Sequence, residues 1–214
     1  MRLILFLFRS VYYLFYHQFA WTYDFVAALV SLGRWQDWVS SALPYLDGRV
    51  LELGFGPGHL QVSLNENHLQ AFGLDESPQM ARLASRNIRR KRFIPCLSRG
   101  YAQNLPFATG AFDSVVATFP SDYIYDPRSL QEIWRVLAPG GILVNLPMAW
   151  ITGTLPLERL VAWLLRVVGE PPGRPGELPA ALKDRFDQLR FNLRSELVPV
   201  RGSQVLVVLA KKLD

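Results

Sequence analysis

From Arg49 onward the chain alternates short apolar runs with longer amphipathic stretches. Arg49–Leu53 is apolar and closes on glycines, which predicts a buried strand. Residues 59–69 follow with helical spacing, and residues 71–74 read as a second strand ending at Asp75. Residues 77–90 predict a helix, with Ser77 at the N-cap and Pro78 as first helical residue. Residues 93–98 form a weaker third strand, and residues 112–119 a fourth. Residues 129–137 predict a helix stopped by Pro139-Gly140-Gly141, before a fifth strand over 142–146. Residues 191–200 and 204–210 alternate like a hairpin around Arg201-Gly202-Ser203. Strands that alternate with helices pair in parallel through helical crossovers. The predicted class is therefore α/β, a doubly wound, mostly parallel sheet with a C-terminal antiparallel hairpin and N-terminal helices.

The flanking segments carry less order. Residues 21–46 have helical periodicity broken near Gly33, and residues 155–168 and 179–189 predict further helices around a Pro/Gly-rich loop at 169–176. Residues 1–16 are very apolar, but the first run stops at Arg9. A spanning helix needs about 20 apolar residues, and a signal peptide needs a longer centre and a small-residue cleavage site. The expectation is a helix carrying Arg2 and Arg9 on one face. It either lies on a membrane surface or caps its own domain's pocket. The domain reading is a helical cap over 1–48 and one compact unit over 49–214.

Composition narrows the partners. At 214 residues, half of them apolar and 19% charged, the chain suits one medium globular domain. The net charge of +5 favours anionic partners in general. Its basic run, Arg86 to Arg92, reads first as the solvated end of a helix, where cations oppose the dipole. One cysteine, Cys96, and three histidines make no disulfide or metal pattern, so no metal and a reduced cytoplasmic setting are expected.

The candidate chemistry sits after the first strand. Gly54, Gly56 and Gly58 recur at every second position, where glycine allows tight turning and close approach of a ligand. The next helix aims its free N–H groups at the same place. Dinucleotide sites use Gly-x-Gly-x-x-Gly, whereas here the spacing is Gly-x-Gly-x-Gly with Glu52 two residues ahead. A carboxylate so placed favours a zwitterionic ligand with an ammonium group. Asp75, at the end of the second strand, suits ribose hydroxyls in either cofactor family.

Glu52–Gly58 resembles the first motif of class I S-adenosylmethionine-dependent methyltransferases, and Gly73–Met80 resembles their second. Ala102–Phe107, Phe112–Val116 and Leu130–Gly141 continue the series in order, over roughly Arg49 to Pro147. The pattern is most similar to the type 11 group, which includes quinone C-methyltransferases and phospholipid N-methyltransferases. The resemblance implies a Rossmann-like fold and S-adenosyl-L-methionine as cofactor. It implies that Glu52, Gly54 and Gly56 line the methionine part, and that Phe55 and Gly58 of the same loop also bind the cofactor. Asp75 would bind ribose, Glu76 and Met80 would flank ribose and adenine, Ala102 and Gln103 would meet the adenine edge, and Phe119 would border the sulfonium. Where relatives often carry Asp, this chain has Tyr101.

Methyl transfer from a sulfonium is a direct displacement, so the protein mainly aligns the reactants and excludes water. The catalytic candidates are Asp122, as base or ammonium partner, and Tyr123, with Tyr125 beside it, as cation–π surfaces. Asp126 reads as a helix cap. Tyr23 stands where relatives often place a tyrosine over the cofactor, and reads equally as core. The expected acceptor is a small or lipophilic molecule, a quinone-like ring or a phospholipid head group, met with peripheral membrane contact; no nucleic acid is expected. The alternatives are aminopropyl transfer, a non-catalytic membrane-associated cofactor-binding protein, and a nicotinamide-dependent oxidoreductase. The first usually needs a strongly acidic site that this chain lacks, and the glycine spacing disfavours the last.

Overall fold

The structure is a computed structural model that describes residues 31–153, 186 and 188–213. The expected helices over 1–16 and 155–168, the loop at 169–176, Tyr23, and most of the helix over 179–189 lie outside the described residues.

Helix α1 (Trp35–Ser40) follows Gly33, and a 3-10 turn at Leu43–Tyr45 leads into the sheet. Then come β1 (Arg49–Leu53), α2 (His59–Glu66), β2 (Gln70–Asp75), α3 (Pro78–Arg90) and β3 (Leu97–Arg99). After β4 (Phe112–Thr118) come a 3-10 turn at Asp122–Tyr125, α4 (Pro127–Val136), β5 (Leu137–Ile151), β6 (Phe191–Val200) and β7 (Ser203–Lys212). The strands form one seven-stranded sheet in the order β3-β2-β1-β4-β5-β7-β6. β1 to β5 pair in parallel, and β7 runs antiparallel between β5 and β6. The sheet is doubly wound, as the alternation predicted.

Strand alternation divides the core between two faces. Leu51, Leu53, Val115, Ala117 and Leu143 pack with Leu130 and Ile133 of α4. Val50, Val116, Val144 and Leu146 pack with Trp38 and Val39 of α1 and Leu60 and Leu64 of α2. The chain order reverses between β1 and β4, and beyond the carboxyl ends of strands at such a switch point a ligand site forms.

Several boundaries differ from the pattern. α2 stops at Glu66 because His68 turns left-handed, φ 60°, and Leu69 N–H returns to the Leu64 carbonyl at 3.0 Å. That is a Schellman-type end. β3 is shorter than its apolar run, since Pro95 has no N–H to give a ladder. α4 ends at Val136 and β5 starts at once, absorbing Pro139-Gly140-Gly141 as strand. Between Phe112↔Leu137 and Ser114↔Ile142 the register shifts to take up the extra residues. Ala138, ahead of Pro139, is biased away from the α region, which favours strand over helix there.

Lys212, nearly buried, closes the end of α4. Its Nζ donates to the carbonyls of Trp134 (2.8 Å) and Leu137 (2.7 Å) and sits 3.8 Å from the Trp134 ring centroid. Lys212→Met keeps the stem and strands both carbonyls, so it is expected to cost about 1–3 kcal/mol of stability. Urea denaturation measures this, and a midpoint unchanged from wild type would refute the capping role.

Candidate active site

The site forms where β1 ends. Gly54, Gly56 and Gly58 all adopt left-handed backbone, φ 72°, 50° and 83°. Gly54 N–H reaches the Leu74 carbonyl at 2.7 Å, so the loop starts tied to β2. Asp75 ties its middle: one carboxylate oxygen accepts from Gly56 N–H at 3.0 Å, the other from Ser77 N–H at 2.8 Å. Asp75 is thus a latch between the glycine loop and the start of α3. A Cβ on Gly56 would meet nothing within 4 Å, so open space lies beside that backbone. Gly58 has the opposite surroundings, because its Cβ would stand 2.8 Å from that of Ala84 on α3.

Glu52 lies one layer below, only 2% exposed, registered between Gly73 of β2 and Val116 of β4. Its Oε2 accepts from Gln61 Nε2 of α2 at 2.8 Å. Burial pushes its carboxyl up to about 8; the Gln61 hydrogen bond pulls it down, and the Asp75 charge adds to the rise. Among the described residues no cation is hydrogen-bonded to Glu52. A buried acid in that state is suited to receive an ammonium group from a ligand.

The turn after β4 closes over this loop. Tyr123 Oη donates to the Leu53 carbonyl at 3.0 Å, and a Cβ on Gly54 would lie 2.8 Å from that hydroxyl. Asp122 is exposed at the start of the turn. Tyr125 is half-buried, and its hydroxyl receives Asn145 Nδ2 at 3.4 Å. Burial raises its phenol, the Asn145 hydrogen bond lowers it, and the Asp122 charge raises it further. Phe119, at φ 50°, lays its ring 4.7 Å from Trp35 and 6.0 Å from Trp38, joining the end of β4 to α1.

The segment from Ala102 to Phe107 is pinned by α4. Glu132 accepts from Leu105 N–H at 2.7 Å, while Arg135 donates to the Leu105 and Phe107 carbonyls and pairs with Glu132. Gln103 Nε2 meets Asp126 Oδ2 at 3.3 Å, and Asp126 caps α4 through Arg128 N–H, as expected of it. Ala102 is buried, Glu76 is exposed, and Tyr101 points largely to solvent. Met80 and Phe55 differ from expectation. Both side chains are enclosed with Ala84 beneath the loop, Met80 with no exposed surface. They shape the loop from below, so the Met80 side chain offers no face to an adenine.

A methyltransferase domain model matches residues 51–145, the span from β1 to β5 that holds these contacts. An uncharacterized methyltransferase of Synechocystis is 33% identical over 149 residues, 63% of this chain and 68% of that one. The chain belongs to the methyltransferase family. A demethylmenaquinone methyltransferase of Deinococcus radiodurans is 34% identical over 131 residues, 58% of this chain. The chain spans about half the length of that relative, 54%. Among solved structures, geranyl diphosphate methyltransferase in complex with S-adenosylmethionine superposes with a TM-score of 0.60 at 14% identity, over 83% of this chain and 85% of that one.

The motifs that carry the family resemblance imply S-adenosyl-L-methionine as the methyl donor. The residues present fit it: a buried acid for its ammonium, glycine backbone open on one side, and a second acid at the end of β2. Sequence reasoning singled out Glu52, the glycines, Asp75 and Tyr123, and the fold brings these together. It missed Gln61 and Asn145. Neither lies in a recognisable motif; the only signal for Gln61 is a polar residue on the inward face of α2, beside Leu60 and Leu64.

Proposed function

We propose that this methyltransferase methylates a lipophilic small acceptor of the quinone-ring type. The observation that carries the donor half is the buried Glu52 beneath a glycine loop that Asp75 latches at the switch point of the sheet. The acceptor half is supported by relatives named demethylmenaquinone methyltransferase and ubiquinone/menaquinone biosynthesis C-methyltransferase. Glu52 holds the donor's ammonium, Gly54 and Gly56 let it approach, and Asp75 takes the ribose hydroxyls. Ala102 and Gln103 border the adenine. When bound, S-adenosylmethionine supplies an electrophilic methyl on a sulfonium, with a neutral thioether as leaving group. Tyr123 braces Gly54 and orients the acceptor, and Asp122 on the same turn receives the proton that the acceptor loses. Phe119 walls the reacting centre toward α1.

A lipophilic acceptor is drawn from a membrane surface, and the N-terminal residues 1–16 supply the peripheral contact in this reading. No described helix is long and apolar enough to cross a membrane. The test is methyl transfer from labelled donor in the presence of demethylated quinone precursors and, separately, phospholipid vesicles. Label in the quinone ring is expected. Label in a phospholipid head group, or none in either, would overturn the acceptor.

A further inference from the structure

Gln61 is buried in a way its neighbours do not explain. It is 1% exposed on α2, whose other buried residues are Leu60 and Leu64. Its Nε2 donates twice, to Glu52 Oε2 at 2.8 Å and to the Phe72 carbonyl of β2 at 3.1 Å. Its Oε1 is buried with no hydrogen-bond partner. The Phe72 carbonyl sets the orientation: turning the amide over would place Oε1 against that backbone acceptor and lose the Nε2 donor there. A buried amide that leaves its own oxygen unpaired is unfavourable for folding alone. Gly73 leaves the space, since a Cβ there would lie 3.3 Å from Gln61 Cδ and 2.7 Å from the Phe55 ring.

We propose that Gln61 is a positioning residue that holds Glu52 in the hydrogen-bond-accepting, ionisable state that a donor ammonium requires. This rests on the reading that Glu52 receives that ammonium. A fixed donor stabilises the carboxylate and not the neutral acid, so Gln61 works against burial and against Asp75, the two influences that favour the proton. The Phe72 carbonyl anchors the donor, so a backbone atom of β2 sets the charge state of a side chain on β1. Among the described residues, the groups facing Glu52 are Gln61 from α2, Asp75 from β2, and the apolar Val116 from β4.

The test is binding of S-adenosylhomocysteine by calorimetry from pH 6 to 9, for wild type, Gln61→Met, Gln61→Glu and Glu52→Gln, with thermal melts of each unliganded chain. In Gln61→Met the affinity is expected to fall about tenfold at pH 7, the size of one pKa unit, and to recover toward wild type at pH 9. Gln61→Glu keeps the length and adds a second acid, and should move the pH dependence further upward. A purely structural glutamine would weaken binding equally at every pH, and parallel profiles for wild type and both Gln61 variants overturn the inference. Glu52→Gln binding like wild type, with the same profile, would instead overturn the assignment of Glu52.

Discussion

Gly58→Ala is expected to destabilise the chain by about 2–5 kcal/mol, a large part of the 5–15 kcal/mol that holds a typical domain together. Two effects add. At φ 83° a Cβ costs about 1–2 kcal/mol of local strain. The new methyl would then stand 2.8 Å from Ala84 Cβ and 3.1 Å from Ala84 Cα. Backbone cannot yield as a long side chain can, so α3 must shift away from α2, and such overpacking costs about 1–3 kcal/mol. The shift also moves Ser77 and Asp75, which latch the loop, so cofactor affinity falls with stability. Ala84→Gly in the same chain should restore the part due to contact and leave the part due to φ. Urea denaturation of the single and double variants measures both. A single variant within about 0.5 kcal/mol of wild type would show that the helix pair is not close-packed there.

Glu52→Gln should make the unliganded chain more stable at pH 8 and its cofactor binding weaker. The Glu52 carboxyl lies at about 8 in the fold, above its ordinary value of 4.5, chiefly because burial disfavours the charge. Between those values the folded chain binds more protons than the unfolded one. Stability is therefore greatest below the ordinary value and declines as pH rises through about 8, by up to about 5 kcal/mol. Glutamine carries no titrating proton, so this decline should disappear. The cofactor acts in the other direction. Its ammonium compensates the buried charge, and removing that partner should weaken binding by about 1.5–3 kcal/mol, roughly tenfold to a hundredfold. Thermal melts from pH 5 to 9, with and without S-adenosylhomocysteine, separate the two. An unchanged slope in the variant would mean that another group carries the pH dependence.

These predictions draw unequally on what was legible beforehand. The strands β1, β2 and β4, helix α3 with its Ser77 cap, and the closing hairpin follow from local apolar spacing and capping chemistry. The glycine spacing with Glu52 ahead of it implies the donor from the sequence alone. The boundaries that moved did so for tertiary reasons. Pro139-Gly140-Gly141 signals a helix stop, yet the chain runs through it as strand, because Leu137 before it and Ile142 after it both pair with β4. Met80 sits in a motif associated with the ligand, but the side chain it meets is Phe55, and the pair closes from beneath.

By itself the sequence determined the class of fold and set Glu52 and Asp75 at the ends of two neighbouring strands beside the glycine loop. Each of these is written in spacings of a few residues, and the physics behind them is local: φ freedom at glycine, cap hydrogen bonds, the period of apolar positions. Only the tertiary structure decided that Asp75 holds Gly56 across 19 positions, that Tyr123 reaches back 70 to the Leu53 carbonyl, and that Gln61 bridges Glu52 to β2. Periodicity says which face a residue shows, but sheet register and helix docking choose what that face meets. The charge state of the buried acid is therefore a property of the packed molecule.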